Sequence, residues 1–329
     1  MNLLNNYNYV FFNQPDYRFG VGDGKGYNSI CFRDLTHAEN IWVYTSLFEH
    51  LNFVERWAYL VSRHITKFRW LNHFWYSKVD FSKGWKKQQP LCFIFITYLP
   101  IDHLTWLRKT YPDAKFVMFV RDLVSTRSTV IQKMINNKVI DRWITYDKGD
   151  AQKYNFFYYP EVESKIDLPT PSVYKHDVFF AGLAKNRLSQ IIDIYDKLVS
   201  LGLKCFFYIK IKKGAPTIER EGIQYSFVNM KYEDILKENL QSKCILEINQ
   251  EGAVGNTARF LEAVLYNKRL ISNNLSIKES KFYTPMYICL FSKPNDITTD
   301  IFKDDNSVNY HYNNEFSPLK LIEYIASIL

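Results

Sequence analysis

The amino-acid sequence predicts an α/β protein with two domains, each built on a doubly wound parallel sheet. The chain has 329 residues, more than the roughly 250–300 residues at which a single hydrophobic core stops growing. Apolar residues make up 47% of it, which is ample for two buried cores. Buried apolar runs alternate with helical spacings along the chain, and that alternation is typical of parallel sheets.

The expected boundary between the domains lies in residues 160–176. This segment, PEVESKIDLPTPSVYKH, holds three prolines and little hydrophobic periodicity, as linkers do. We therefore expect an N-terminal domain over residues 1–165 and a C-terminal domain over residues 166–329. The last helix of the chain, opened by Ser317 and Pro318, is expected either to stay with the second domain or to pack back on the first.

In the N-terminal half, apolar runs predict four strands, over residues 9–12, 91–99, 115–120 and 142–145. A glycine-rich loop follows the first strand. Thr36 and Glu39 have the spacing of a capping box, and residues 41–51 then carry apolar side chains at helical spacing. We therefore expect a helix there, and a second one over residues 103–110.

In the C-terminal half, the same reasoning predicts strands over residues 177–181, 204–209, 244–248, 269–272 and 287–291. Helices are expected between them, over residues 187–201, 231–240 and 257–266. Ligands of such sheets bind in the crevice outside the carboxyl ends of the strands, so the loops that follow the strands are the places to search for a site.

The loop after the first strand of the C-terminal half carries Gly182, Lys185 and Arg187. Glycine is expected to let the backbone turn tightly. The two basic side chains stand at a helix N-terminus, where they oppose the helix dipole unless an anion is bound. The pattern therefore predicts a phosphate site, with a solvated loop that carries two unrelated bases as the alternative.

A second polar loop follows the strand that ends at residue 248. Its candidate binding residues are Glu251, Gly252, Gly255, Asn256, Thr257, Arg259 and Glu262. The glycines permit close backbone approach to a ligand, the threonine is placed to meet a diphosphate, and the arginine can fork onto phosphate. The carboxylate of Glu262 suits two neighbouring ribose hydroxyls. An N-terminal cap with a surface Arg–Glu pair is the alternative.

Because both loops follow carboxyl ends of strands in one sheet, both are expected to face the same crevice. Phosphate-binding groups from one loop and a ribose-binding carboxylate from the other fit a single nucleoside diphosphate. The joint placement is a stronger indication than either motif alone.

Two runs of the sequence resemble bacterial glycosyltransferases of capsule, exopolysaccharide and lipopolysaccharide assembly. They are DVFFAGLAKNRLSQIIDIYDKL, residues 177–198, and KYEDILKENLQSKCILEINQEGAVGNTARFLEAVLYNKRLISNN, residues 231–274. The resemblance implies two Rossmann-like domains facing across a cleft, the GT-B fold. It also implies that Gly182, Lys185, Arg187 and Thr257 approach the diphosphate of a nucleotide-sugar.

The same resemblance implies that Glu262 binds the ribose, like the second glutamate of the E-x7-E motif of many such enzymes. Glu251 precedes Glu262 by eleven residues instead of eight, so it is not equated with the first glutamate. Lys231 and Tyr232 lie where these enzymes contact the base.

The activity implied by the resemblance is that of a nucleotide-sugar-dependent glycosyltransferase of the hexosyltransferase type. The sugar would pass from a nucleotide-diphosphate donor, expected to be UDP-linked, to a surface-polysaccharide acceptor. Asp122, after the strand 115–120, and Asp23, in the glycine-rich loop, are the candidate general bases of an inverting reaction; each could instead be a turn or cap residue. The alternatives are a nucleotide-sugar epimerase or hydrolase on the same fold, and a non-enzymatic peripheral membrane or nucleic-acid-binding protein.

Several common cofactor motifs are missing from the sequence. There is no Asp-x-Asp triplet for a metal–diphosphate clamp, and the glycine-rich loop GVGDGKG fits neither the dinucleotide nor the P-loop spacing. The histidines show no metal-ligand spacing. We therefore expect no metal and no cofactor beyond the donor substrate.

The stretch from Arg56 to Lys87 is unusually basic and aromatic. It holds eight Lys and Arg residues against one acid, Asp80, and so carries nearly all of the net charge of +8. Basic charge among Trp and Tyr suits an anionic membrane surface, and also single-stranded nucleic acid; a helical hairpin with a solvated basic face also fits the pattern. The solvated face is the first interpretation; of the two binding partners, an anionic membrane surface is favoured and no nucleic acid is expected.

The expected location is the cytoplasm, with peripheral association at the inner face of the plasma membrane. The sequence shows no signal-peptide pattern at its start, and no run of about 18 apolar residues. The five cysteines are dispersed, which favours reduced thiols.

Overall fold

The computed structural model describes residues 6–13, 27–64, 72–169, 171–249, 255–303 and 307–329. The chain divides into two compact units. The N-terminal unit comprises Met1–Ser164 and Ser317–Leu329, and the C-terminal unit comprises Lys165–Phe316. Among the described helices, none has the length and apolar character needed to cross a bilayer.

The N-terminal unit is built on a six-stranded sheet in which every pair of neighbours is parallel. Its order is β2-β1-β3-β4-β5-β6. The strands are β1 (Asn8–Phe12), β2 (Ile41–Tyr44), β3 (Leu91–Phe95), β4 (Lys115–Val120), β5 (Arg142–Thr145) and β6 (Phe157–Tyr158). The described helices between them are α1 (Tyr27–Cys31), α2 (Phe53–His64), α3 (Asn72–Tyr76), α4 (Ile101–Thr110), α5 (Val124–Asn136) and α6 (Lys148–Tyr154).

The central strands β1, β3 and β4 are buried on both faces, as is usual when helices cover both sides of a parallel sheet. One face is largely aromatic. Phe12 packs against Phe93 and Phe95, with ring centroids 6.0 and 4.9 Å away. These large rings fill the layer between the sheet and the segments around α3 and α4.

The C-terminal unit contains a second parallel six-stranded sheet, in the order β12-β11-β10-β7-β8-β9. Its strands are β7 (His176–Leu183), β8 (Cys205–Lys210), β9 (Ile223–Ser226), β10 (Ser242–Glu247), β11 (Arg269–Ser272) and β12 (Ile288–Leu290). The intervening helices are α7 (Leu188–Ser200), α8 (Tyr232–Leu240) and α9 (Ala258–Leu265). The predicted fold class, α/β with two Rossmann-like sheets, is confirmed.

The last helix, α10 (Pro318–Ile328), groups with the N-terminal unit. Ser317 caps it, accepting the Leu319 N–H, and its hydroxyl lies 3.0 Å from a carboxylate oxygen of Asp34. Nε of Arg142 donates to the carbonyl oxygen of Ile328 at 3.1 Å. The division by contacts therefore lies one residue before the expected boundary at 165/166, and assigns residues 317–329 to the other unit.

One predicted helix is wrong. Residues 41–44 form the edge strand β2, paired in parallel with β1. The supposed capping residue Thr36 instead lies in a short 3-10 helix, Arg33–His37, and its hydroxyl donates to the Arg33 carbonyl oxygen at 2.7 Å. The run IWVY is apolar throughout, so it satisfies helical and strand patterns equally, and the tertiary pairing with β1 decides.

Candidate functional site

Arg187 joins the two loops that the sequence singles out. β7 and β10 are neighbours in the sheet of the C-terminal unit. From its position before α7, the Arg187 guanidinium donates to the carbonyl oxygen of Leu183 at 3.3 Å, and to that of Ile248 just beyond β10. The side chain therefore fastens the carboxyl ends of β7 and β10 to each other, and burial lowers the pKa of the guanidinium.

The turn between β7 and α7 holds Lys185 in an uncommon conformation. Its φ is 45°, in the left-handed region that costs an L-residue about 1–2 kcal/mol, and its side chain is exposed. Arg187, at the N-cap position of α7, makes no side-chain cap hydrogen bond, and the first turn of the helix holds no acid. This helix N-terminus can therefore receive an anion beside an exposed ammonium group.

Gly182 serves a purpose different from the predicted one. It lies inside β7 and not in a turn, so the predicted tight turn there is wrong. A Cβ at this position would lie 2.6 Å from Cζ of Phe180, far inside normal contact distance. The glycine therefore makes room for the buried Phe180 ring, two residues earlier on the strand.

Glu247, which the sequence analysis missed, organises the start of α9. It is the last residue of β10 and is 2% exposed. Its carboxylate accepts hydrogen bonds from the hydroxyls of Thr257 and Ser272. Burial raises the pKa of this carboxyl above its usual value. The available signal was an acid directly after the apolar run Cys244–Leu246, at the end of the strand.

Thr257 is the N-cap of α9, and its Oγ1 accepts the N–H of Arg259 at 3.2 Å. Because the same hydroxyl donates to Glu247, it points into the protein. The main-chain N–H of Thr257, and not its hydroxyl, is therefore the group that a diphosphate would contact. The carbonyl oxygen of the neighbouring Gly255 is held by the amide of Asn274 at 3.1 Å, which fixes the entry to the helix.

Glu262 is fully buried, with 0% exposure. Its carboxylate accepts hydrogen bonds from the Tyr232 hydroxyl at 2.9 Å and the Asn239 amide at 2.6 Å, and it pairs with Arg259. Burial raises its pKa, against the opposing effect of the arginine. The pair is therefore not the surface pair of the alternative interpretation, and it ties α8 to α9. Ribose binding by Glu262 stays a prediction, and it would require one of these bonds to open.

The residues expected beside the base differ in their surroundings. Lys231 is exposed at the N-cap position of α8, and Asn256, just before α9, is half-buried. Tyr232 is buried, and its hydroxyl is directed to Glu262. The predicted binding residues Glu251 and Gly252 lie outside the described residues.

In the N-terminal unit, the carboxyl end of β4 carries Arg121 and Asp122. Asp122 is exposed there, and the other candidate base, Asp23, lies outside the described residues. Arg121 points inward. It pairs with Glu161 at 2.6 Å, donates to the Asn28 side chain at 2.7 Å and lies 4.8 Å from the centroid of the Phe32 ring. Arg121 is therefore held in a buried structural contact.

The described residues contain no cluster of side chains that is typical of a metal site. Over residues 6–13, 27–64, 72–169, 171–249, 255–303 and 307–329, no group of three His, Cys, Asp or Glu side chains is placed to hold an ion.

No family model and no curated protein matches the chain. Among solved structures, it is similar to the pneumococcal O-GlcNAc transferase GtfA in complex with UDP and GlcNAc, with 10% identity and a TM-score of 0.46. That similarity covers 72% of this chain and 56% of the other. For the lipopolysaccharide outer core galactosyltransferase WaaB, the identity is 13%, the TM-score is 0.40 and the coverage is 88% and 87%.

The Gap123 glycosylation-associated protein complex of Streptococcus agalactiae is also similar, with 8% identity and a TM-score of 0.38. It covers 73% of this chain and 50% of the other. The chain thus spans about half the length of GtfA and of the Gap123 chain. At these identities and scores, the similarities say what the chain resembles and carry no residue roles.

Proposed function

We propose that this chain is a glycosyltransferase that moves a sugar from a nucleotide-diphosphate donor, UDP-linked, to a surface-polysaccharide acceptor. The observation that supports the proposal is the bond between Arg187 and the carbonyl oxygen of Ile248. It holds the N-terminus of α7 beside the end of β10, and the bond from Thr257 to Glu247 holds the N-terminus of α9 to the same strand, so that two helix N-termini border one edge of the sheet.

In this proposal the diphosphate is bound by main-chain N–H groups at the starts of α7 and α9, with the ammonium group of Lys185 beside it. Positive charge at this position stabilises the negative charge that develops on the leaving diphosphate. Arg187 is a positioning residue in this proposal, because two of its five N–H groups bond the carbonyl oxygens of Leu183 and Ile248. Gly255, Asn256 and Thr257 would line the second half of the cradle.

Asp122 and Asp23 remain the candidate general bases of an inverting mechanism. A retaining mechanism would instead depend on stabilising the sugar cation beside the diphosphate. We propose that the reaction needs no metal ion, because the amide groups and Lys185 supply the positive field. The chain would act in the cytoplasm at the inner face of the plasma membrane, on an acceptor glycan held by a lipid.

Calorimetric titration with UDP, GDP, CDP and their sugars tests the donor site. We expect one class of nucleoside diphosphate to bind, and Lys185→Ala to weaken its binding about tenfold, since a charge-assisted hydrogen bond contributes about 1.5–3 kcal/mol. Lys204→Ala is the matched control, because Lys204 is also exposed but precedes β8 at the amino edge of the same sheet. No binding of any nucleoside diphosphate would reject the proposal.

Product analysis separates the proposed reaction from its nearest alternative. An epimerase or hydrolase would convert the nucleotide-sugar in the absence of any acceptor. A transferase should leave the donor largely intact until a glycan acceptor is added, and should then release the nucleoside diphosphate in equal amount to the sugar transferred.

A further inference from the structure

Helix α2 presents large apolar side chains to solvent. Phe53 is 74% exposed and Trp57 is 60% exposed, and Val54 and Val61 are also exposed. Their spacing of one and two helical turns places them along one side of the helix. The other side is anchored in the N-terminal unit through the buried residues Tyr59 and Ser62.

Exposed Phe74 of α3 extends the same surface. Lys78 connects the two helices, because its ammonium group bonds Glu55 of α2 at 2.7 Å and lies 4.9 Å from the centroid of the Phe74 ring. Phe53 and Trp57 contact each other edge to face, with centroids 6.4 Å apart. We call Phe53, Val54, Trp57, Val61 and Phe74 the α2 face.

The sequence that carries the α2 face is basic, although Lys67 and Arg69 lie outside the described residues. From Arg56 to Val79 the sequence contains five Lys and Arg residues and no Asp or Glu. The Arg56 guanidinium donates to the main-chain carbonyl oxygens of Phe48 and Leu51, at 3.0 Å each, and has no acidic partner in these bonds.

Further along the chain, the side chains of Lys83 and Lys86 are 81% and 71% exposed. Their bonds to Asp80 and Glu39 are surface ion pairs, which contribute little to stability. Both ammonium groups can therefore exchange their carboxylate partners for another anion at small cost.

We propose that the α2 face docks on an anionic lipid bilayer. Phe53, Trp57 and Phe74 would enter the boundary between headgroups and acyl chains, while the lysines and arginines meet the anionic headgroups. The inference deepens the proposed function, because it names the surface that would bind the membrane. It rests on that function in one respect: an acceptor glycan held by a lipid would be reached at the bilayer.

Two other occupants fit the α2 face less well. Single-stranded nucleic acid binds basic surfaces by stacking its bases on aromatic rings, and the exposed Val54 and Val61 offer no ring for stacking. A second copy of the chain would bring two basic surfaces together, and like charges across an interface repel.

Flotation with vesicles tests the docking. We expect the full chain to float with vesicles containing about a third anionic phospholipid, and not with phosphatidylcholine alone. The double variant Phe53→Ser with Trp57→Ser should bind about tenfold less or worse, since burial of each ring provides much of the affinity. The matched control is Phe227→Ser with Val228→Ser, two exposed apolar residues of the C-terminal unit.

Circular dichroism of the variants shows whether they remain folded, which is expected because the replaced side chains are exposed. Donor titration and flotation of the wild-type chain keep the two proposals apart: intact donor binding without flotation rejects the docking alone, and flotation without donor binding rejects the glycosyltransferase alone. Equal flotation of variant and control would overturn the inference. So would vesicle-independent binding of a single-stranded oligonucleotide, or a concentration-dependent dimer lost in the α2 variant.

Discussion

The guanidinium of Arg187 donates to the carbonyl oxygen of Ile248, and so connects the start of α7 to the end of β10. The two residues are 61 positions apart in the sequence. Strand order places the carboxyl ends of β7 and β10 at one edge of the sheet, and this bond links them there. The account of the donor site depends on it.

Arg187→Ala should lower both stability and donor affinity. The variant leaves the carbonyl oxygens of Leu183 and Ile248 without this donor, which costs about 1–3 kcal/mol for buried groups. Thermal unfolding and donor titration measure the two effects. Arg220→Ala is the control, because Arg220 forms an exposed pair with Asp196; a stability loss as large in the control would show that Arg187 has no special part.

Glu262→Ala should destabilise the C-terminal unit by about 2 kcal/mol or more, because it removes the carboxylate that pairs with Arg259 in a largely buried position. Urea unfolding against Glu233→Ala, which removes a half-buried acid of α8 that pairs with Lys237 at the surface, provides the comparison. Unchanged stability together with lost binding of the donor would instead support the ribose role and contradict the structural one.

The buried Glu247 should make stability depend on pH. Burial raises its pKa in the folded state above the usual 4.5, so the folded protein holds this proton more tightly than the unfolded chain does. Its contribution is then fully present below about pH 4.5 and is lost as the pH rises through the folded-state pKa. Relative to Glu247→Gln, the wild-type protein should therefore lose stability as the pH rises above about 4.5.

Asp80→Asn is a control of opposite sign for that experiment. Hydrogen bonds from Ser82, and then the contact with Lys83, lower the pKa of Asp80 to about 2. Its contribution is present above the usual value of 3.8 and is lost as the pH falls. If both variants changed the pH profile in the same direction, the assignment of the effect to burial of Glu247 would be wrong.

Gly182→Ala should destabilise the protein by about 1–3 kcal/mol, as overpacking does, because the added Cβ meets the Phe180 ring. Replacing that ring with a smaller side chain, in the double variant Gly182→Ala with Phe180→Leu, should recover part of the loss. Additive losses, measured by urea unfolding, would show that the ring does not constrain Gly182.

Much of the fold could be predicted from local patterns. The strands over 115–120, 142–145 and 269–272 have the predicted bounds, because each is a short apolar run between turn residues. The run 91–99 was predicted too long: β3 ends at Phe95, and Pro100 caps α4 soon afterwards. The strand at 41–44 was missed because its apolar run continues into Phe48 and Leu51 at helical spacing.

The position of the site could be predicted from the sequence, but its hydrogen bonds could not. The location of the loops after β7 and β10 follows from the order of the strands alone. That Arg187 would reach the Ile248 carbonyl, or that Thr257 would donate to Glu247, depends on contacts across the sheet that no local pattern records. Glu262 was identified as a carboxylate of the site, yet its burial depends on Tyr232 and Asn239 of α8.

A crystal structure with bound UDP tests the central claim most directly. We expect both phosphate groups to lie within hydrogen-bonding distance of main-chain N–H groups at the start of α7 and at Thr257, with the Lys185 ammonium group beside them. A diphosphate that touches only one of these two segments, or that binds at another edge of the sheet, would contradict the account.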